Sequence, residues 1–309
     1  MFVPPIQHVT GSNWHRENHN LTPTPSSRFL WARLTMTVAS DYILGQSANA
    51  AKRLELQDRH FAVPTEELLD ALSLKPTDRV VELGCGPGGL TRRIVSRLGE
   101  GGKLISVDSS AGLLEQAALY LKDSGAGKVE FVNADASKPG AWLNGADVVV
   151  GRAVLHHIPM AEYLLGKLRG LLRPGTRVGF LEPDFRSPLA RLAYLEANGY
   201  PEYAALRVWA TAINDLYSLR KISPAVGATL GRTLETAGYK NVSTAWYEFQ
   251  SDSMVIENML MFYDEVGTTL EKYGILSAAE NAEQQRLLTA LLPGPHPGIW
   301  GMFRAVCEV

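Results

Sequence analysis

The sequence of 309 residues predicts an α/β fold built on a doubly wound parallel sheet. Short apolar runs alternate with helical patterns, from RVVEL at 79–83 to TRVGFLEP at 176–183. Continuous apolar runs are typical of strands that are buried on both faces of a parallel sheet. A glycine-rich turn, GCGPGG at 84–89, follows the first run. We therefore expect helices on both faces and a ligand site at the carboxyl ends of the strands.

The elements follow one another at the spacing of β–α–β units. Helices over 48–60 and 64–74 precede the first strand, and a helix near 160–172 precedes the fifth. The second, third and fourth strands are predicted over 103–108, 128–135 and 146–152, with helices between the earlier pairs. This alternation predicts parallel pairing.

Beyond residue 184 the regular alternation stops, and helical patterns predominate. We expect these later helices to be insertions that cover one end of the sheet. The predicted organisation is a flexible leader over 1–40, a core over 41–184, a helical insertion over 185–240, strand six over 241–251, a second helical insertion over 252–298 and a final strand over 299–309.

Composition narrows the class of protein. The formal net charge of −2 provides no general attraction to nucleic acid or to an anionic membrane. No apolar run approaches the roughly 18–20 residues that span a bilayer. Of the two cysteines, Cys85 lies inside the glycine turn, which favours a reduced cytoplasmic location without a disulfide. No spacing indicates a metal site. The leader lacks a secretory apolar region; a transit peptide or a start at Met36 remain alternatives.

Acidic residues around the turn indicate which nucleotide it binds. Gly84, Gly86 and Gly89 also fit a dinucleotide fingerprint, which is a weak signal by itself. Tight packing between strand and helix without a ligand is the disfavoured alternative, because the turn lies at the carboxyl ends of parallel strands. Glu82 would repel a pyrophosphate, whereas it would attract an amino group. Asp108 ends the second strand and suits a ribose. Asp135, after the third strand, suits an adenine amino group. The expected ligand carries an adenine, a ribose and a cationic amino acid, but no phosphate.

These motifs resemble those of the class I S-adenosylmethionine-dependent methyltransferases. The resemblance rests on four segments: ELGCGPG at 82–88, Asp108, NADA at 133–136 and LLRPG at 171–175. The resemblance implies a Rossmann-like sheet of seven strands, with an antiparallel last strand inserted between strands five and six. The helical insertions would form a cap on this sheet.

The resemblance also implies a cofactor site for S-adenosylmethionine. Its glycines would approach the methionine part, Asp108 the ribose, and Asp135 with Ala136 the adenine, while Arg152 would offer its backbone. The full set is Glu82, Gly84, Cys85, Gly86, Gly88, Asp108, Ser109, Asp135, Ala136 and Arg152.

Methyl transfer to a hydroxyl or a carbon acid needs a base, whereas a thiol or an amine acceptor does not. His156 and His157, after the fourth strand, are the candidate catalytic bases. Alternatively, one histidine packs on the cofactor and the other caps the next helix. Glu182 and Asp184 are further candidates, or else solvated loop acids. Whether O, N, S or C is methylated stays undetermined.

The substrate pocket is expected between the core and the insertions. Its candidates are Tyr42 as a lid, Glu182, Trp209 and Met259. The apolar stripes that hold Trp209 and Met259 are either packed core or an adaptable ligand surface. We expect a small, fairly apolar substrate, and the insertions offer a surface for a homodimer.

Three other functions compete with this hypothesis. A methyltransferase acting on RNA or protein is disfavoured because the chain has no basic run and GRAVLHHIP follows the fourth strand. A NAD-dependent oxidoreductase is disfavoured by Glu82 and Asp135. A non-catalytic or repurposed protein that binds S-adenosylmethionine stays open, because fold alone does not establish turnover.

Overall fold

Seven strands form one mixed sheet in the computed structural model, which describes residues 48–122, 126–292 and 296–309. The strands are Arg79–Leu83 (β1), Lys103–Asp108 (β2), Val129–Asn133 (β3), Val148–Arg152 (β4), Arg177–Asp184 (β5), Lys240–Ser251 (β6) and His296–Glu308 (β7). Their order is β3-β2-β1-β4-β5-β7-β6. The first five strands are parallel, and β7 runs antiparallel to β5 and β6. The predicted fold class is confirmed.

Helices cover the sheet and one end of it. They are Ala48–His60 (α1), Ala62–Ala71 (α2), Gly89–Arg97 (α3), Ala111–Tyr120 (α4), Ala161–Leu171 (α5), Ser187–Ala197 (α6), Ala204–Leu219 (α7), Val226–Thr236 (α8), Ser253–Lys272 (α9) and Ala278–Ala290 (α10). Short 3-10 helices occupy Ala126–Lys128, Ala141–Leu143, Leu155–His157 and Pro201–Tyr203. Within the described ranges, no helix is long and apolar enough to cross a membrane.

Several predicted boundaries differ from the structure; for example, β3 ends at Asn133 rather than at 135, and β4 begins at Val148 rather than at 146. The second helix spans Ala62–Ala71 rather than 64–74, so it follows α1 almost directly. The last strand begins at His296 rather than at 299, because its pairing with β6 continues until Ser251 lies opposite His296. Three residues assigned to the second insertion therefore belong to the sheet.

Neighbouring valines send their side chains to opposite faces of the sheet. Val81 and Val149 are fully buried in a core that α5 and α8 cover. Val80 and Val148 are fully buried in a second core, which α2 and α3 cover. Both faces are therefore apolar, as the continuous apolar runs predicted.

The insertions form a cap with a core of its own. Helices α6, α7, α9 and α10 pack together around buried Leu206, Ile213 and Val266. Helix α8 lies inside the predicted insertion 185–240, yet it packs on β5, β6 and β7. The cap therefore consists of two helical pairs, one before α8 and the other between β6 and β7.

Ion pairs connect helix α1 to both the core and the cap. Asp58 accepts a hydrogen bond of 2.9 Å from Arg152 at the end of β4. Arg53 donates at 2.8 Å to Glu265 of α9, and these two side chains are only 1% and 4% exposed. Because removing one partner of a buried pair typically costs about 3–5 kcal/mol, the second pair fixes α1 on the cap.

His60, the last residue of α1, lies in an aromatic cluster with Phe61, Phe249 and Trp300. Its ring centroid is 4.1 Å from that of Phe249 and 5.8 Å from that of Trp300. Its Nε2 is buried and has no hydrogen-bond partner among the described residues. Burial lowers the pKa of His60 to about 4, against the opposing attraction of Asp252. The cluster therefore keeps His60 neutral.

The substitution His60→Phe is expected to make folding stability less sensitive to acid. The pKa of His60 falls from 6.5 to about 4 on folding, so its contribution is present above pH 6.5 and is lost as the pH falls toward 4. Between pH 7.5 and pH 5, wild type should lose up to about 2 kcal/mol more than the variant. Urea unfolding of both proteins at the two pH values measures this difference. Equal losses would show that His60 is not buried as a neutral group.

Candidate functional site

The glycine turn joins β1 to α3 at the carboxyl edge of the sheet. Gly84, Gly86 and Gly88 have φ values of +67°, +52° and +94°, a region that favours glycine. A Cβ atom on Gly84 would lie 2.5 Å from Cγ2 of Val154, whereas a Cβ on Gly86 would meet no atom within 4 Å. The turn is therefore packed tightly at Gly84 and open at Gly86.

Asp108 holds the turn from the end of β2. Its Oδ2 accepts the N–H of Gly86 at 2.8 Å, and its Oδ1 accepts the N–H of Ser110 at 2.9 Å. Burial raises the pKa of Asp108, and these N–H donors act against that rise. Each carboxylate oxygen has capacity for a further donor. Ser109, the neighbouring candidate, is exposed. Asp108 therefore fits the predicted contact with two ribose hydroxyls.

Glu82 is fully buried beneath the turn. Its Oε2 accepts hydrogen bonds from Thr91 Oγ1 at 2.7 Å and Ser106 Oγ at 2.8 Å, which link β1, α3 and β2. Its Oε1 has no partner within the described residues. Burial raises the pKa of Glu82 to about 7. Glu82 is thus a structural link that keeps one oxygen available for a cationic group, and its contact with a ligand stays a prediction.

The other predicted cofactor residues lie along the same strand edge. Asp135 is partly exposed and accepts the N–H of Ser137 at 2.9 Å. Ala136 beside it is also partly exposed. Cys85 is buried, its N–H donates to the carbonyl of Val107 at 3.1 Å, and burial raises the pKa of its thiol. The side chain of Arg152 turns to Asp58, so only its backbone can take the predicted role.

Together these residues fit S-adenosylmethionine. The open position at Gly86 admits a ligand close to the backbone, and Asp108 keeps acceptor capacity for hydroxyls. The unpartnered oxygen of Glu82 suits an ammonium group. The individual contacts stay predictions. In the described part of the chain, no three histidine, cysteine, aspartate or glutamate side chains form a group that could hold a metal ion.

Glu182, on β5, organises the loop that follows β4. Its Oε1 accepts the N–H groups of Val154 and Leu155, each at 2.9 Å. Its Oε2 accepts the N–H of His156 at 3.2 Å and lies 3.0 Å from Nδ1 of the same residue. Glu182 is fully buried and burial raises its pKa, while the backbone donors oppose this. It therefore lies beneath the loop rather than on a pocket wall.

The interpretation of Glu182 and Asp184 as solvated loop acids is wrong, because both residues are fully buried. Asp184 accepts the N–H of Arg186 at 2.9 Å and also contacts Ser187, so it caps the start of α6. Backbone N–H groups of the loop after β4 donate to Glu182, and backbone N–H groups at the start of α6 donate to Asp184.

The histidines face an apolar row that leads into the cap. The rings of His156 and His157 are 3.9 Å apart, and the His156 ring is 5.8 Å from that of Phe185. Phe185 in turn stacks on Trp300 at 6.4 Å. Burial lowers the pKa values of both histidines and so keeps them neutral.

An apolar cavity lies at the cap end of this row. It is lined by Phe185, Pro188, Leu192, Leu206, Trp209, Ala210, Met259 and Trp300. Two of these, Trp209 and Met259, are predicted pocket residues, and Tyr42 lies outside the described residues. The cavity of about 10 Å³ holds roughly one water molecule, so a larger molecule requires the cap helices to separate.

Sequence reasoning missed several residues of the site. Arg53, Asp58, Phe185 and Trp300 belong to no motif, and each meets partners that are distant in the sequence. The only local signal is the apolar context of Trp300 in the last strand, and it indicated packing alone.

Comparison with known proteins places the chain among methyltransferases. A family model described as "Methyltransferase domain" matches residues 81–178, which include the turn, Asp108 and Arg152. A trans-aconitate 2-methyltransferase of Rhizobium leguminosarum is 30% identical over 193 residues, covering 62% of this chain and 68% of that protein. A trans-aconitate 2-methyltransferase of Methylobacterium radiotolerans is 34% identical over 179 residues, 57% of this chain but only 60% of that protein.

Solved structures agree on the fold. The [4+2]-cyclase SpnF aligns with a TM-score of 0.50 at 15% identity, over 81% of this chain and 80% of its own. At this identity, the similarity supports the fold and not the chemistry.

We expect Gly86→Ala to weaken binding of S-adenosylhomocysteine about tenfold or more, because its methyl group would fill the open position beside the turn. The matched control is Gly175→Ala. Gly175 also has a positive φ, +81°, and open space around its Cβ position, but it precedes β5 at the opposite edge of the sheet. Both variants should lose a similar free energy of unfolding, about 1–2 kcal/mol, because alanine disfavours a positive φ. Calorimetric titration that shows equal affinities for both would contradict a ligand at Gly86.

Proposed function

The chain belongs to the S-adenosylmethionine-dependent methyltransferase family, and we propose that it methylates a small, largely apolar molecule enclosed between the sheet and the cap. The trans-aconitate relatives and an aklanonic acid methyltransferase of Streptomyces, 25% identical over 210 residues, are by name small-molecule enzymes.

One observation supports this proposal above the others. His156 belongs to the loop after β4, and its ring lies next to the aromatic row of Phe185 and Trp300. This row ends at the apolar cavity. The polar ring of His156 at the strand edge and the apolar cavity in the cap suit an amphipathic small molecule. A macromolecular acceptor would need an open, basic surface instead.

Each side chain then has a role in the transfer. Bound S-adenosylmethionine supplies a methyl group from a sulfonium centre, whose sulfur keeps the electron pair of the broken bond. Nε2 of His156 takes the proton that leaves an acceptor hydroxyl as the new bond to carbon forms. With the cap helices separated around it, the acceptor would occupy the enlarged apolar cavity, which would hold it in line and exclude water.

Supplying the protein with S-adenosylmethionine labelled in the methyl group and with cell extract tests this function. Label recovered among small molecules supports the proposal, whereas label in protein or RNA overturns the substrate class. Cofactor binding without transfer would point to a repurposed protein. The Gly86→Ala variant serves as the control, because its weaker cofactor binding should reduce the label in every fraction when S-adenosylmethionine is limiting.

His156→Ala is expected to lower kcat by about 10²- to 10⁴-fold, the usual contribution of a positioned base, while S-adenosylhomocysteine affinity stays within about twofold. His157→Ala should have a smaller effect, because the ring nitrogen that lies 3.0 Å from Glu182 belongs to His156. A full rate in His156→Ala would indicate an acceptor that needs no base.

The homodimer and the cytoplasmic location predicted from sequence are part of the same proposal. Pairing through the cap helices would keep the catalytic edge enclosed. Analytical ultracentrifugation measures the oligomeric state directly, and a monomer at micromolar concentration would exclude a stable dimer.

A further inference from the structure

Glu182 contacts neither the apolar cavity nor the glycine turn, yet its carboxylate lies against a histidine at the catalytic edge. We propose that Glu182 is a positioning residue, which holds His156 in the tautomer that carries its proton on Nδ1 and presents Nε2 as the acceptor. This inference rests on the proposed function, because it explains how the loop after β4 prepares a base.

The hydrogen bonds determine the tautomer. Oε2 of Glu182 lies 3.0 Å from Nδ1 of His156 and also accepts the N–H of the same residue at 3.2 Å. Oε1 accepts two further N–H groups, from Val154 and Leu155. These three backbone donors favour the ionised, acceptor-only carboxylate against the burial that raises the pKa of Glu182 to about 7, so the carboxylate is ionised at pH 8. Nδ1 must then be the donor, and the neutral ring has its lone pair on Nε2.

The surroundings keep the ring in this orientation. Nε2 of His156 forms no hydrogen bond to any described residue, so its lone pair can still accept a proton. The ring of Tyr217 stacks on that of His156 with centroids 6.1 Å apart. Ala153, three residues earlier, has a φ of +51°, an unfavourable value for alanine that the surrounding hydrogen bonds maintain. The loop is therefore fixed around the contact between Glu182 and His156.

The same contact stabilises the product of proton transfer. When Nε2 takes a proton from the acceptor, the ring becomes an imidazolium with Nδ1–H directed at a carboxylate. A buried imidazolium without that partner would be strongly disfavoured. Glu182 therefore acts twice, by orienting the neutral ring and by stabilising its charge, and it contacts no substrate itself.

The decisive measurement is the tautomer of His156 in protein labelled with ¹⁵N in the histidine rings, read from long-range ¹H–¹⁵N correlation spectra near pH 8. A His156→Gln variant identifies the resonances of this ring. Wild type should show Nδ1 protonated and Nε2 unprotonated. In Glu182→Gln the new amide can donate to Nδ1, which should move the proton to Nε2 and lower kcat about 10²- to 10⁴-fold with little change in cofactor affinity.

Asp184→Asn is the matched control. Asp184 lies on the same strand, is equally buried and also accepts backbone N–H groups, but it contacts no histidine. Its substitution should leave the tautomer of His156 unchanged.

A wild-type ring protonated on Nε2, or an identical tautomer in Glu182→Gln, would overturn the proposal. If Glu182→Gln does not fold, the wild-type spectrum decides alone. Because the spectra need neither substrate nor cofactor, failure of this inference is distinguishable from failure of the methyltransferase assignment.

Discussion

The carboxylate of Glu182 is the interaction on which the catalytic edge depends. Parallel strands end together, so the loops that leave them have N–H groups with no partner in the sheet. Glu182 satisfies three such groups in the loop after β4 and contacts the ring of His156. Asp108 does the same for the glycine turn, and Asp184 for the start of α6. At three strand ends, carboxylates thus accept hydrogen bonds from backbone N–H groups that have no partner in the sheet.

Helix α1 carries this edge into the cap. It contacts the core through Asp58 and the cap through Arg53, and its last residue enters the aromatic cluster with Phe249 and Trp300. The cap therefore cannot move far from the sheet without breaking a buried ion pair. The cavity that Trp209 and Met259 line is bounded by apolar side chains, so an opening at this position within the cap separates apolar surfaces. Access for a substrate is therefore expected between the cap helices.

The sequence predicted the sheet well and the tertiary links of the site poorly. Strands such as RVVEL were placed to the residue, because a continuous apolar run flanked by turn residues has few alternatives. Asp108 ends β2 as expected, whereas Asp135 lies two residues beyond the end of β3. Glu182 looked like a loop acid, because its donors lie 26–28 residues away and are backbone groups that leave no pattern. Arg53 and Glu265 are 212 residues apart, and no local signal links them.

Charge pairing explains why this edge suits a cationic ligand although arginines surround it. Arg152 lies at the end of β4 but donates to Asp58, and Arg53 donates to Glu265. Arg53 is thus paired with Glu265, whereas Arg152 shares Asp58 with Arg92 and Arg93. Asp108 and Glu82 receive only neutral donors from the backbone and from hydroxyl groups. Among the described residues, no cation contacts either side chain directly, so the Asp108 carboxyl and the unpartnered oxygen of Glu82, whose pKa burial raises to about 7, remain available to a sulfonium or an ammonium group. A phosphate at the same edge would be repelled by these acids, and the nearby arginines already donate to other carboxylates.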